Sequence, residues 1–194
     1  MAEQTQNQRP EDKARDSIDQ QLASAGWMVQ SKKGIDFGAG KGIAAREYQT
    51  DVGPADYVLF VDRKPVGVIE AKPATWGQKI TTVEEQSYGY ATASLKWVKD
   101  DTPLPFVYET TGIITRFTDY RDPSPRSREL FSFHRPETLA EWIGQAETLR
   151  KRLQELPPFD TEGFRACQIT AIENLEVSLE EPRLGFSKSL IRRC

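Results

Sequence analysis

The sequence predicts one α/β domain built around a single mixed β-sheet flanked by helices. Two β-rich runs within residues 55–72, DYVLFV and VGVIEA, are separated by the turn-like Asp62-Arg63-Lys64-Pro65 and read as an antiparallel hairpin. Both runs are nearly continuously apolar, the pattern of strands covered on both faces, which places the hairpin at the centre of the sheet. Segments of helical period alternate with strand-like runs in the order helix, strands, helix, strands, helix, as a mixed α/β or α+β domain requires.

Residues 1–9 are polar and read as a flexible N-terminus. Pro10 opens a helix, with Glu11 and Asp12 favourable at its positive end. Ala14, Ile18, Leu22 and Ala25 follow at helical spacing and Gly26 stops it. Trp27 to Val29 form a short strand. Gly34, Gly38, Gly40 and Gly42 lie in a loose loop without the spacing of a phosphate-binding loop. Residues 43–49 extend into the next strand, ahead of the hairpin. Thr82 and Glu85 make a capping box for a helix reaching about Ala93. PFVYE and GIITRF are two strands turning near Thr110 to Gly112, residues 118–128 a polar loop, and LFSF a short strand. Pro136 opens a long amphipathic helix carrying Leu139, Trp142, Ile143, Ala146, Leu149 and Leu153, and Pro157-Pro158 marks a boundary. A last helix carries Phe164, Cys167, Ala171, Ile172 and Leu175. The expected division is 1–9 flexible, 10–156 the α/β domain, and 157–194 the start of something else.

Composition narrows the function. The chain has 194 residues, and 26 basic against 29 acidic side chains leave a net charge of −3, which excludes a non-specific nucleic-acid coat protein but not a locally basic groove. His134 is the single histidine, so chemistry built on histidine pairs would need another chain. Cys167 and Cys194 form no CxxC pair, and a cytoplasmic compartment is the expectation. No apolar stretch is long enough to span a membrane, and the polar N-terminus is unlike a signal peptide.

The residues that carry chemistry lie at the ends of the hairpin. With a three-residue connection centred on Arg63, Asp56 stands directly opposite Glu70, their Cβ atoms about 5 Å apart. Lys72, two residues on, shares the face of Glu70. A one-residue slip would turn Asp56 away unless a bulge restores it. Two facing carboxylates repel unless a cation lies between them, and a site of one or two carboxylates plus waters suits Mg²⁺. A lysine beside such a metal can orient or deprotonate a water and stabilise developing negative charge, as metal-assisted phosphodiester hydrolysis needs. Gln86 and Tyr90, four apart in EEQSYGY, share one helical face from which both can reach a phosphate or the carboxylates.

The D-x13-E-x-K pattern of Asp56, Glu70 and Lys72, with the later Q-x-x-x-Y of Gln86 and Tyr90, resembles the PD-(D/E)xK nuclease superfamily in its RecB-like branch. The segments IDQQLASAGW, AREYQTDVGPADYVLFVDRKPVGVIEAKP, LPFVYETTG and FHRPETLAEW resemble more specifically the N-terminal part of the R subunit of type I restriction enzymes. The resemblance implies a restriction-endonuclease-like fold and an Mg²⁺-dependent endonuclease that cuts double-stranded DNA after ATP-driven translocation by a motor. It implies Asp56 and Glu70 as metal ligands, the Ala71 backbone carbonyl as a third, Lys72 as the catalytic lysine, and Gln86 and Tyr90 as supporting, DNA-contacting residues. It implies methyltransferase and specificity subunits as partners. Relatives also carry an acidic residue on the first helix, for which Asp19 or Asp16 is the nearest match; Glu47 reads as structural. FRACQITAIENLEVSLEEPR resembles the opening of the motor, with Gln168 as an adenine-reading glutamine only if the motor is present. No G-x-x-x-x-G-K-[ST] occurs in the sequence, so no ATPase activity is expected. Two other readings stand beside this one: another RecB-like DNA nuclease, and a catalytically idle docking module for motor and methyltransferase subunits.

Other features read as structure. Arg121, Arg126, Arg128 and Arg135 surround a Pro/Ser loop that is read as solvated rather than as a phosphate contact. His134 reads as a cap or packing residue, Trp142 as core, and Trp76 equally as packing or as part of a DNA path.

Overall fold

A computed structural model describes residues 10–50, 53–72 and 104–180, with side chains described for 14–50, 53–72 and 104–177. Gln86, Tyr90, Trp76 and the Thr82–Glu85 capping box lie outside the described residues, so those expectations meet no structural finding. The described residues fall into two compact units, one of 10–50, 53–72, 104–120 and 125–145 and one of 121–124 and 146–180.

In the first unit, helix α1 (Pro10–Ser24) leads to strand β1 (Met28–Ser31), β2 (Gly42–Thr50), β3 (Gly53–Val61), β4 (Lys64–Ala71), β5 (Phe106–Thr110), β6 (Thr115–Asp119) and β7 (Arg128–Leu130), then helix α2 (Pro136–Gly144). Among the described residues these seven strands form one sheet in sequence order. β1 with β2 and β4 with β5 run parallel; the other neighbours are antiparallel. The sheet is mixed, as expected, and β4 is its central strand.

Helix α1 stops where its glycine stands. Gly26 adopts φ +92°, its N–H donates to Ala23 O, and Trp27 N–H donates to Leu22 O at 3.0 Å. That is a Schellman closure, which satisfies carbonyls the helix end leaves open. Ile18 and Leu22 are fully buried, and each contributes about 1.5–3 kcal/mol of apolar burial. They pack with Trp27, Tyr57, Leu59, Ile69, Phe106, Tyr108, Phe117 and Leu139 on one face of the sheet. On the other face Ile43, Ala45, Val58, Phe60, Val68 and Val107 form a second cluster. The alternation along Tyr57–Val61 between the two clusters is the period-two pattern of a strand buried on both sides.

Three elements differ from the sequence reading. The strand expected in GIITRF begins at Thr115, because Gly112 takes φ +78° and the turn extends to Ile114. The LFSF strand is replaced by Arg128–Leu130; only Leu130 reaches the ladder, opposite Thr115, while Phe133 turns into the core. The long helix is two: α2 ends at Gly144, and α3 (Leu149–Gln154) starts anew from Thr148, whose hydroxyl accepts from Lys151 N–H as an N-cap. In the second unit α3 packs with α4 (Ala166–Glu180).

His134 is tied into the first unit's aromatic core. Its Nδ1 lies 2.7 Å from Tyr108 Oη, its carbonyl accepts from Trp27 Nε1 at 2.9 Å, and its ring packs edge-on against Phe117 and Trp142. This is the packing role expected for it. Burial, helped by Arg128, lowers its pKa to about 4.

An unfolded chain, with an ordinary histidine near 6.5, therefore takes up a proton that the fold refuses between pH 6.5 and 4. The contribution of His134 to stability is full above pH 6.5 and is lost as pH drops through that window, by an amount that solvent screening of the partly exposed ring reduces. Urea titrations at pH 7 and 4.5 should show this slope in the parent and lose it in His134→Gln. A second expectation concerns Gly67, where an added Cβ would stand 2.5 Å from Phe106 O across the parallel β4–β5 pair. Gly67→Ala should cost about 1–3 kcal/mol, read as a lower Tm.

Candidate functional site

The hairpin that sets the site has a shorter turn than the three-residue connection expected. Val61 pairs with Lys64, leaving a two-residue loop in which Asp62 and Arg63 both take positive φ, 47° and 68°, the geometry of a type I′ turn. Alone, that turn would set Asp56 one step out of line with Glu70. The register then shifts between Leu59 and Phe60: Phe60 faces Pro65 but Leu59 faces Gly67, so Val66 is an extra residue in β4. Pro65 has no N–H to continue the ladder, and bulges are where prolines are tolerated in sheets. Beyond the bulge the pairs Val58↔Val68 and Tyr57↔Ile69 bring Asp56 opposite Glu70 at the next step.

Asp56 holds two partners. Arg15 NH2 on α1 donates to its Oδ1 at 2.9 Å, and the Ala71 N–H donates to its Oδ2 at 2.9 Å. It is thus the amide of Ala71 that meets Asp56. Glu70, 6% exposed, accepts from Lys72 Nζ at 2.6 Å. Burial raises the Glu70 pKa above the ordinary carboxylate range; the Lys72 contact opposes this and the nearby Asp56 charge reinforces it. The Lys72 N–H donates to Thr110 O at 2.7 Å, which continues the β4–β5 pairing past Ala71 and fixes the lysine's backbone. Asp56, Glu70 and Lys72 are therefore together at one end of the central strands.

The first-helix carboxylates take other parts. Asp19 is gripped by Arg46, from Nε at 3.1 Å and by an ion pair from NH2, and accepts from the Tyr57 hydroxyl at 2.8 Å. Burial pushes the Tyr57 phenol up to about 12, so it stays a donor. Asp19 thereby braces α1 against β2 and β3. Asp16 lines the adjoining cleft with Arg15, Asp19, Arg46, Glu47, Asp56 and Tyr57. Glu47 pairs with Arg15 at 3.5 Å and Lys32 at 3.4 Å. Its φ of 49° is a left-handed conformation costing a non-glycine residue about 1–2 kcal/mol. It stands across the β2–β3 ladder from Asp56, between the pairs Arg46↔Tyr57 and Tyr48↔Ala55. Backbone strain of this kind concentrates beside working sites.

Sequence reasoning missed Arg15, Arg46 and Tyr57, whose links to the site span 27 to 41 residues of chain. It also passed over Glu109, a buried carboxylate beside Glu70 in the parallel register; the signal was an acid closing the apolar run PFVYE. In the second unit Gln168 Oε1 accepts from Arg165 N–H at 2.9 Å in the first turn of α4. Arg128 stacks over Phe117 at 5.2 Å. Among the described residues no three His, Cys, Asp or Glu side chains are grouped to hold a metal, and no helix is long and apolar enough to cross a membrane.

Residues 28–143 match the family model described as the second domain of the type I restriction enzyme EcoKI endonuclease subunit. The chain is 28% identical to the type I restriction enzyme EcoKI endonuclease subunit of Escherichia coli (strain K12), over 87% of this chain and 19% of that protein. It thus spans about a fifth of the length of that curated relative. Its fold is similar, at a TM-score of 0.52 and 19% identity, to a fragment structure described as an HsdR subunit of a type I restriction enzyme from Vibrio vulnificus YJ016, covering 89% of this chain and 33% of that one.

Removing the Tyr57 hydroxyl leaves Asp19 one donor short and loosens α1 from β3. Tyr57→Phe should lower stability by about 1–2 kcal/mol, measured by urea unfolding. An unchanged midpoint would show that the Arg46 pair alone holds the helix.

Proposed function

The chain belongs to the family of type I restriction enzyme endonuclease subunits, and on that premise we propose that it is an Mg²⁺-dependent endonuclease domain hydrolysing phosphodiester bonds of double-stranded DNA. In this reading cleavage follows ATP-driven translocation by a motor, in a complex with methyltransferase and specificity subunits. The observation that carries it is the meeting of Asp56, Glu70 and Lys72 at the end of the central hairpin, with Lys72 Nζ 2.6 Å from Glu70 Oε1. A structural ion pair alone would not need a second carboxylate in register with the first.

The donor set fits a hard divalent cation. Asp56 and Glu70 offer carboxylate oxygens, the Ala71 carbonyl is the third ligand of the reading, and Mg²⁺ uses one or two carboxylates with waters for the rest. Burial is the main reason the Glu70 pKa is raised, with the Asp56 charge adding to it, and a cation bound there would favour the ionised carboxylate. When bound, Mg²⁺ would polarise the scissile phosphate and acidify a water. Lys72 brings an ammonium beside Glu70, where it orients the attacking water and stabilises charge developing on the phosphate oxygens. Glu70 in turn holds Lys72 in place. The role of Gln86 and Tyr90 is to hydrogen-bond the phosphate or Lys72 and keep the scissile group in line.

Glu70→Ala should abolish both Mn²⁺ binding by calorimetry and plasmid nicking, measured within a full-length type I R subunit if this chain alone does not nick. Lys72→Ala should abolish nicking while leaving Mn²⁺ binding as tight as in the parent or tighter, since an ammonium is no metal ligand and its hydrogen bond to Glu70 Oε1 competes with a cation. A Glu70→Ala enzyme that nicks normally in Mg²⁺ would overturn the assignment.

A further inference from the structure

Arg15 stands between two carboxylates of unequal strength. Its NH2 is 2.9 Å from Asp56 Oδ1 and its NH1 3.5 Å from Glu47 Oε1. The Asp56 side chain is 17% exposed and the Glu47 side chain 54%, so the nearer partner is also the less solvated one. Asp56 Oδ2 already receives the Ala71 N–H. Oδ1, which faces only the half-exposed guanidinium, is therefore the oxygen more open to another cation, and a guanidinium and a divalent ion repel when they share one oxygen. Glu47 lies directly across the β2–β3 ladder from Asp56, in its left-handed conformation, within reach of the same guanidinium. Arg15 itself is half-exposed and can turn.

Resting on the metal-site reading above, we propose that Arg15 is a positioning residue with two seats, neutralising Asp56 until a divalent metal takes Oδ1 and then shifting its guanidinium onto Glu47. The shift needs no new reach, because NH1 already faces Glu47 and has only to close the remaining gap. Glu47 makes the displacement easier by offering the departing cation a second carboxylate. A function is thereby attached to the strained residue opposite Asp56.

The test is Mn²⁺ affinity of the 194-residue chain, by calorimetry, for Arg15→Gln, Glu47→Gln, the double variant and Glu70→Ala. Arg15→Gln removes a charge-assisted hydrogen bond that competes with the metal, and should tighten Mn²⁺ binding about tenfold. Glu47→Gln alone should weaken binding, because Arg15 loses its second seat. In the Arg15→Gln background Glu47→Gln should have no effect beyond about twofold, since Glu47 acts through Arg15; two independent field effects would instead add. The proposal is overturned if Arg15→Gln binds Mn²⁺ no tighter than the parent, or if the two changes are additive. Parental Mn²⁺ binding by Glu70→Ala would instead sink the metal-site reading itself, whatever Arg15 does. Circular dichroism of each variant checks that the fold is intact.

Discussion

Between Leu59 and Phe60 the pairing of β3 with β4 slips by one residue, and everything at the open end of the hairpin inherits that slip. The type I′ turn at Asp62-Arg63 suits the right-handed twist of the strands, but its two-residue count sets the wrong parity for the site. Val66 restores it. Side chains alternate with a period of two, so one inserted residue decides whether the carboxylates at the strand ends look at each other or away. From that point the Ala71 amide reaches Asp56, beside a Lys72 that contacts Glu70 two residues back on its own strand and whose backbone is fixed by the β4–β5 pairing at Thr110.

The charges around this end balance locally. Asp56 answers Arg15, Glu70 answers Lys72, and Asp19 answers Arg46 with help from a phenol. The Lys72–Glu70 pair is the little-exposed one, and such a pair adds little net stability because desolvation offsets attraction, while removing one member leaves a buried charge uncompensated. Conserving stability would favour apolar residues here. On the proposed reading the arrangement trades stability for chemistry, and the left-handed Glu47 belongs to the same trade.

Much of this was legible from residue order. The apolar runs around Asp62-Arg63 gave the central hairpin, Pro10 and Gly26 bounded α1, and the position of Asp56, Glu70 and Lys72 at the strand ends pointed to the site. The turn length was not legible, because a three-residue loop and a two-residue loop with a bulge put the same residues opposite each other. Pro65 was the readable hint. The split at Gly144 was missed because Ile143, Ala146, Leu149 and Leu153 keep a helical rhythm across it, although Gly144 and the capping Thr148 mark the break. Arg15 was invisible for a different reason. Its partner lies 41 residues away, and no local periodicity reports such a contact. Asp19 was recognised as an acid near the site, but its grip by Arg46 and Tyr57 depends on the approach of α1 to two strands.

The two strands at the margins of the sheet are its shortest, four residues in β1 and three in β7. An outermost strand presents unpaired amides and carbonyls that can recruit a strand from another molecule. Here that template is brief at both ends, and β7 carries Arg128 and Glu129, whose charges discourage stacking of a second chain. The longer, apolar strands β3 and β4 have neighbours on both sides. Among the described residues, the segments most prone to self-association are thus enclosed by the chain's own short margins.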